Sequence, residues 1–245
     1  MKSLRSLVFV SAAVCAAALL SAQPAPVDPT VAAPKTGNAA FFEKHESFLA
    51  RAKSGPVGLL FLGDSITEGW KSVPQIWEKH YGAHQPANFG IGGDQTQHVL
   101  WRIENGELDG IDPKVAVLMI GTNNSGAHTA AQIAEANRRI VAQIRAKLPR
   151  TKVLVLAIFP RGPRTQRDGK AEPWEKRMEV IRGVNAELAK LDDGRNVRFL
   201  DVGPAFLAPD GTIPQDVMPD QLHLSPKGYQ LWADAMQPLL DEMLR

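Results

Sequence analysis

The 245-residue sequence contains a single cysteine, Cys15, which lies inside an apolar run near the N-terminus. If that run is a cleaved export signal, the mature chain has no cysteine nucleophile, no thiolate metal site and no disulfide. The six histidines show neither a His-Glu-x-x-His pattern nor another metal-ligand spacing. We therefore expect no metal and no other cofactor.

The chain also carries little net charge. The chain has 28 Lys and Arg against 26 Asp and Glu, and residues 1–22 hold two of the basic residues and no acidic one. The remainder is therefore balanced at 26 against 26, which gives no indication of binding to nucleic acid or to an anionic membrane. No internal repeat is visible, and the length suits one large domain.

The N-terminus has the pattern of a secretory signal peptide. Lys2 and Arg5 precede an apolar run over residues 7–20, and the small residues Ser21 and Ala22 follow. The run is shorter than the roughly 20 residues that span a bilayer, although an uncleaved anchor stays open. We predict a signal peptide at 1–22, a flexible Pro- and Ala-rich leader at 23–37 and one folded domain at 38–245, exported to the periplasm or the exterior without stable membrane insertion.

The rest of the chain alternates between short apolar runs and amphipathic segments. Runs that are apolar on both faces are typical of buried parallel strands. The predicted strands are 57–62, 87–91, 115–120, 153–159 and 197–202, and the clearest helices are 130–148, 178–191 and 231–244. This alternation predicts an α/β fold with three layers, flavodoxin-like, with about five parallel strands and helices on both faces.

Ser65 follows the first predicted strand, in the run Gly63-Asp64-Ser65-Ile66-Thr67. A serine that opens a helix at this place can direct its hydroxyl into the crevice beyond the strand ends, where the helix N–H groups favour a developing anion. The alternative is that Asp64 or Ser65 only caps the helix. The run is not the Gly-x-Ser-x-Gly elbow of the α/β-hydrolases, because Thr67 stands at the last glycine position.

Two further loops follow predicted strands and could donate hydrogen bonds to that anion. The run 88–94 contains Gly92 and Gly93, where the backbone can approach a ligand closely, and Gly121-Thr122-Asn123-Asn124 offers the side-chain amide of Asn123. Either loop could instead be an ordinary turn.

Near the C-terminus, Asp220 precedes His223 by three residues, just before the last helix at Pro226. An imidazole can accept the proton of a serine hydroxyl, and a nearby carboxylate can hold the ring in the required tautomer. A lone Asp-x-x-His motif is more often a pair of surface residues than a catalytic pair. The four motifs all follow strands, however, and together they predict a shared site.

These motifs resemble the four sequence blocks of the SGNH, or GDSL-type, serine hydrolase superfamily. The Ser, Gly, Asn and His of those blocks match Ser65, Gly93, Asn123 and His223 in order. Within the superfamily, the sequence resembles the catalytic (alpha) subunits of platelet-activating-factor acetylhydrolase still more closely. That likeness is carried by residues 88–94, 98–102, 105–108, 121–124, 160–162 and 222–224. The departures are the signal, the leader and residues 66–70.

The resemblance implies a serine esterase that forms an acyl-enzyme. Ser65 would be the nucleophile, His223 the base and Asp220 the acid that orients it. The oxyanion hole would consist of the backbone N–H groups of Ser65 and Gly93 and the side-chain amide of Asn123.

The resemblance also implies that Ile66, Thr122 and Leu222 line the acyl pocket, since each adjoins a site residue in sequence. Branched side chains so close to the serine leave room only for a short, acetyl-type acyl group. The alternative is that these three side chains belong only to the hydrophobic core.

Three functions remain open for the whole chain. It could be a carbohydrate acetylesterase, a lipid-directed acetylhydrolase or lysophospholipase of the platelet-activating-factor type, or a non-catalytic binding module on the same fold. The expected partner is a small-molecule or carbohydrate ester, and a homodimer is compatible with the sequence. The basic loop at 161–170 either meets an anionic substrate at the cleft or is simply solvated.

Overall fold

A computed structural model describes residues 26–165 and 169–245. The five strands of this part of the chain are β1 (Leu59–Gly63), β2 (Pro86–Gly90), β3 (Val115–Met119), β4 (Lys152–Leu156) and β5 (Val197–Leu200). Its α-helices are α1 (Ala39–Lys53), α2 (Ser65–Glu68), α3 (Pro74–Tyr81), α4 (Thr96–Glu104), α5 (Ala130–Lys147), α6 (Trp174–Leu188) and α7 (Pro226–Leu244).

The strands form one parallel sheet in the order β2-β1-β3-β4-β5. In the register, the last residue of β1, Gly63, lies opposite both Gly90 of β2 and Met119 of β3. The loops after these three strands therefore leave the sheet side by side. This is the edge at which ligands bind in flavodoxin-like sheets.

Successive residues of each strand pack on opposite faces of the sheet. In β1, Leu60 and Leu62 belong to the core formed with α1, α4, α5 and α6, whereas Leu59 and Phe61 belong to the core formed with α3 and α7. Both sets are almost completely buried. The alternation follows from the two-residue period of a strand, and it confirms the predicted three-layer α/β fold.

The predicted helices also agree with the structure except at their ends. The helix expected at 178–191 begins earlier, at Trp174, and closes in a 3-10 turn at Ala189–Leu191. The last helix runs from Pro226, which suits the first helical position, where its missing N–H costs nothing. Among the described residues, none of the helices combines the length and the hydropathy that a membrane span requires.

The N-terminal region differs in part from the sequence expectation. The predicted signal at 1–22 lies outside the described residues. Helix α1 begins at Ala39, next to the predicted start of the folded domain, and Asn38 caps it by accepting a hydrogen bond from the N–H of Phe41 at 3.1 Å. Residues 27–37, expected to form a free leader, instead lie against the domain and hydrogen-bond to it, chiefly through main-chain groups such as the carbonyls of Val27 and Pro29.

Candidate active site

Ser65 is the first residue of α2, two positions after the end of β1. The helix is capped by Asp64, whose Oδ1 accepts a hydrogen bond from the N–H of Ile66 at 3.0 Å. Because Asp64 supplies the cap, the Ser65 hydroxyl is left for another partner. Asp64 is fully buried, and this burial raises the pKa of its carboxyl to about 7.

The partner of Ser65 is His223. The Ser65 Oγ lies 2.9 Å from the His223 Nε2, and the His223 Nδ1 lies 2.8 Å from the Asp220 Oδ2. A carboxylate only accepts hydrogen bonds, so this contact places the ring proton on Nδ1 and leaves Nε2 free to accept the serine proton. The structure thus brings together the three residues that the sequence singled out as nucleophile, base and orienting acid.

The Asp-x-x-His turn is fixed by its own backbone. The Oδ1 of Asp220 accepts hydrogen bonds from the N–H groups of Leu222 at 3.1 Å and His223 at 2.7 Å. Gln221 adopts the left-handed conformation, with φ of 61°, to make this turn. Burial alone would raise the pKa of Asp220, but the backbone and side-chain hydrogen bonds from His223 outweigh it and hold that pKa below its usual value.

Sequence reasoning missed a second partner of the same carboxylate. The Nη2 of Arg164 lies 3.0 Å from the Asp220 Oδ2, the oxygen that also receives the His223 ring. Arg164 comes from the basic loop at 161–170, so the accumulation of cations there was the one signal that could have pointed to it. One arginine of the loop therefore pairs with the carboxylate that orients His223. This pairing is a third possibility beside the two considered from the sequence, contact with an anionic substrate and simple solvation.

The two predicted donor loops lie next to each other. The Nδ2 of Asn123 donates to the carbonyl of Asp94 at 2.8 Å, which ties the loop after β3 to the loop after β2. Gly93 has a φ of 71°, a conformation that favours glycine. Among the described residues its N–H has no hydrogen-bond partner. One proton of the Asn123 amide and the Gly93 N–H are thus left to donate to a ligand.

Charged groups hold the loop after β2 from beneath. Asp94 is completely buried, and its Oδ2 lies 3.1 Å from the Nε of Arg102, which is also completely buried. Burial raises the pKa of Asp94, and the Arg102 guanidinium opposes that shift. The Oε2 of Glu68 accepts the N–H of Gly92 at 2.7 Å. Sequence patterns do not reveal these pairings, because they join residues that no local spacing relates.

The three residues predicted to line the acyl pocket are all buried, with exposed fractions of 1% for Ile66, 1% for Thr122 and 5% for Leu222. The hydroxyl of Thr122 accepts a hydrogen bond from the Nη1 of Arg161 at 3.1 Å, and Arg161 also pairs with Glu172. The Thr122 side chain is therefore fixed. Whether the three side chains contact an acyl group stays a prediction.

A cavity of about 580 Å³ lies beside the site, between α6 and the segment 203–213, and it is mostly apolar. A shallower one of about 430 Å³ includes Arg164 and Asp220. Neither is lined by Ser65 or His223. The candidate active site is therefore identified by the hydrogen bonds among its side chains and not by the size of a cavity.

Comparison with known proteins agrees with this geometry. Residues 61–231 match the model of the GDSL-like lipase/acylhydrolase family. This span runs from β1 into α7 and contains every residue of the candidate site. The chain therefore belongs to the GDSL-like lipase/acylhydrolase family, and it is a carboxylic ester hydrolase.

Among individual relatives, the chain is 38% identical over 218 residues to the human platelet-activating factor acetylhydrolase IB subunit alpha1, covering 88% of this chain and 89% of the relative. A solved GDSL-like lipase from Bacteroides thetaiotaomicron has a TM-score of 0.64 at 17% identity, covering 82% of this chain and 98% of that one. A carbohydrate esterase family 3 structure from Talaromyces cellulolyticus has a TM-score of 0.54 at 21% identity, with coverages of 77% and 98%. Both resemblances suggested by the sequence motifs are confirmed.

Proposed function

We propose that this ester hydrolase cleaves short-chain, acetyl-type esters through an acyl-enzyme on Ser65, with a carbohydrate as the alcohol part. The main support is the continuous chain of contacts from Asp220 through His223 to Ser65, at 2.8 and 2.9 Å. Those distances are within the hydrogen-bond range that nucleophile activation requires.

In the first half of the reaction, the Ser65 Oγ attacks the ester carbonyl carbon while its proton moves to the His223 Nε2. The carbonyl oxygen becomes an oxyanion, which accepts hydrogen bonds from the N–H groups of Ser65 and Gly93 and from the Asn123 amide. The carbon–oxygen bond to the alcohol then breaks, and His223 gives its proton to the leaving alcohol. Asp220 stabilises the imidazolium formed in between.

In the second half, water takes the place of the alcohol. His223 accepts a proton from the water as its oxygen attacks the acyl carbon, and the same donors receive the second oxyanion. Breaking the bond to Ser65 releases the carboxylic acid and returns the proton from His223 to the serine. The cycle consumes one water and needs no other reactant.

The preference for a short acyl group rests on the crowding around Ser65. Ile66 and Leu222 are both almost fully buried and adjoin the nucleophile and the base in sequence. Thr122, next to Asn123, is fixed through its hydroxyl by Arg161. Lengthening the acyl chain in such a place requires branched, close-packed side chains to move, which interiors resist.

A sugar as the alcohol part is supported by the openness of the other side of the site. The side chains of His223 and Asp220 are 45% and 42% exposed, so the base that protonates the leaving alcohol is open to solvent. Such an open approach is compatible with a large polar alcohol. The similarity to a solved carbohydrate esterase is a similarity of fold, and it shows only that this fold is compatible with a sugar ester as substrate.

A second candidate is an acetyl ester on a phospholipid. It is favoured by the 38% identity to a protein named platelet-activating factor acetylhydrolase. The two candidates share the acyl chemistry and differ only in the alcohol, so a single set of substrates can separate them.

The test of the alcohol part is acetate release from acetylated xylan, acetylated monosaccharides and an acetyl phospholipid at matched ester concentration. We expect the sugar acetates to be cleaved with the highest kcat/KM. Preferential cleavage of the acetyl phospholipid would replace the first candidate with the second. Ser65→Ala should lose at least about a thousandfold in kcat on every substrate, and retention of most activity would overturn the assignment of the nucleophile.

The test of the acyl part compares nitrophenyl acetate with nitrophenyl octanoate, which share a leaving group. We expect acetate to be cleaved faster, and faster cleavage of octanoate would contradict the short pocket. Export is proposed from the predicted signal alone. Fractionation of expressing cells, with N-terminal sequencing of the exported form, tests both the location and the cleavage site.

A further inference from the structure

Residues 27–37, which we call the N-terminal strap, lie across the loops that hold the candidate oxyanion donors. The strap is attached mainly by main-chain groups. Its hydrogen bonds to the domain include those from His128 to the carbonyl of Val27 at 2.9 Å, from Thr96 to the carbonyl of Pro29 at 2.9 Å and from the N–H of Ala33 to the carbonyl of Gln97 at 3.1 Å. This attachment places the end of the strap above the loop after β2.

One side chain of the strap, Lys35, reaches into that loop. Its Nζ donates to the carbonyl of Gly92 at 2.7 Å and lies 2.7 Å from the Oδ1 of Asp94. The Lys35 side chain is only 13% exposed, and its ammonium lies 5.7 Å from the centre of the Phe41 ring. A lysine so enclosed, with two acceptors at hydrogen-bond distance, is held in one position.

The carbonyl of Gly92 and the N–H of Gly93 belong to the same peptide unit. A trans peptide is planar, and its C=O and N–H point in opposite directions. An ammonium that fixes the Gly92 carbonyl on one side therefore fixes the direction of the Gly93 N–H on the other. A hydrogen bond from a cation to the carbonyl also polarises the peptide and strengthens the N–H as a donor.

A fixed direction matters at this peptide because glycines flank it on both sides. A Gly-Gly peptide can rotate at little steric cost, so the surroundings have to set its orientation. On the preceding peptide unit, the Oε2 of Glu68 accepts the N–H of Gly92 at 2.7 Å. Glu68 and Lys35 thus hold the two successive peptides, and among the described residues only Lys35 hydrogen-bonds to the peptide that carries the donor.

We propose that Lys35 is a positioning residue, supplied by the N-terminal strap, which orients and polarises the Gly93 N–H for the oxyanion. The inference rests on the proposed function, in which Gly93 is an oxyanion donor. Lys35 contacts no reacting atom, so its effect acts through the Gly92–Gly93 peptide. The strap is in this sense part of the active-site scaffold.

The test compares Lys35→Met with Lys152→Met on nitrophenyl acetate. Lys152 is a matched control, because its Nζ also donates to a backbone carbonyl, that of Met243 at 2.8 Å, but at the start of β4, away from the site. We expect Lys35→Met to lower kcat about 10- to 100-fold with KM within twofold, since a misdirected oxyanion donor weakens binding of the transition state and not of the ester. Lys152→Met should keep the wild-type kcat.

Two further variants separate positioning from folding. Lys35→Arg, which keeps a cationic donor, should recover most of the lost kcat, and Lys35→Gln, whose neutral amide can still donate to the Gly92 carbonyl, should lie between Arg and Met. Thermal unfolding of each variant gives Tm. If Lys35→Met does not fold, the Arg and Gln variants are compared directly, with the same order of kcat expected.

A kcat for the Met variant, or for Gln in its place, within twofold of Lys152→Met would overturn the inference, whatever the change in Tm. Failure of the proposed function looks different. In that case the wild-type enzyme would release no acetate, or Ser65→Ala would retain activity, before any strap variant is considered.

Discussion

Replacing Asp64 with asparagine is expected to stabilise the protein, by an amount that grows as the pH rises. Asp64 is completely buried at the start of α2. Its Oδ1 caps the helix through the N–H of Ile66, whereas its Oδ2 has no hydrogen-bond partner among the described residues. Burial raises the pKa of this carboxyl from 3.8 to about 7, and the nearby Asp94 adds to the shift. Asparagine keeps the capping oxygen and cannot ionise.

The sign and size of the effect follow from proton linkage. Between pH 3.8 and about 7, the folded protein keeps a proton on Asp64 that the unfolded chain has released. The free energy of unfolding of the wild-type protein therefore falls, by about 1.4 kcal/mol per pH unit from this group alone. The free energy of unfolding of the Asp64→Asn variant does not show this decrease, because asparagine has no proton to release. The difference in unfolding free energy between Asp64→Asn and wild type should grow by about 3 kcal/mol from pH 4.5 to pH 7.

The measurement is urea unfolding of both proteins at pH 4.5, 5.5, 6.5 and 7.5. Groups that do not interact with Asp64 titrate alike in both proteins and cancel in the difference, and Asp94, which is coupled to Asp64, leaves a smaller contribution than burial does. A matched control is Asp193→Asn. Asp193 also accepts backbone N–H groups, but it is exposed, and those hydrogen bonds lower its pKa, so its difference should be flat across this range. A flat difference for Asp64→Asn as well would refute the reasoning, because it would show that the buried carboxyl ionises at an ordinary pH.

Three other substitutions test an oxyanion donor and the packing at the end of β2 and in the loop after it. Asn123→Ala should remain folded and lose about 100- to 1000-fold in kcat, measured with nitrophenyl acetate, because it removes one oxyanion donor; a loss under fivefold would mean that Asn123 is not a donor. Gly90→Ala drives a Cβ into the backbone nitrogen of Glu68, so we expect it to lower the free energy of unfolding by about 2 kcal/mol or more. Gly92→Ala would place its Cβ 3.2 Å from the Glu68 carboxylate and 3.9 Å from the Ser65 Cβ, both side-chain atoms. It should therefore cost clearly less stability in the same urea assay, and equal costs would contradict this account of the two glycines.

Much of the fold and the central contact of the site could be predicted from sequence, for a physical reason. A strand buried on both faces must be apolar throughout, so runs such as 115–120 are visible without any structure. Parallel strands also end at one edge, so polar motifs that follow strands must meet there. The pairing of Ser65 with His223, 158 residues apart in the chain, was predicted from this argument together with the family resemblance, because His223 lies 23 residues after the end of β5.

The groups that surround the triad could not be predicted in the same way. The N-terminal strap docks through main-chain carbonyls and N–H groups, which every residue carries, so its Pro- and Ala-rich composition suggested only a free leader. Arg164 reaches Asp220 from a loop whose path has no periodic signature. Long cationic side chains are compatible with solvent or with a buried partner, and only the tertiary structure decides between them.

The buried charges beneath the oxyanion loop are better explained by geometry than by stability. Arg102 is completely buried and contacts Asp94 at 3.1 Å, Glu107 at 2.9 Å and the carbonyl of Phe89 at 2.9 Å. Proteins in which well-packed apolar side chains replace such a charged cluster are often equally stable or more stable, because the cost of desolvating the charges offsets their mutual attraction. An apolar cluster, however, specifies no orientation for the backbone above it. The charged groups do: Arg102 and Lys35 together hold both carboxylate oxygens of Asp94, the residue that follows Gly93. The network therefore costs desolvation energy and gives in return a defined position for the loop on which the proposed chemistry depends.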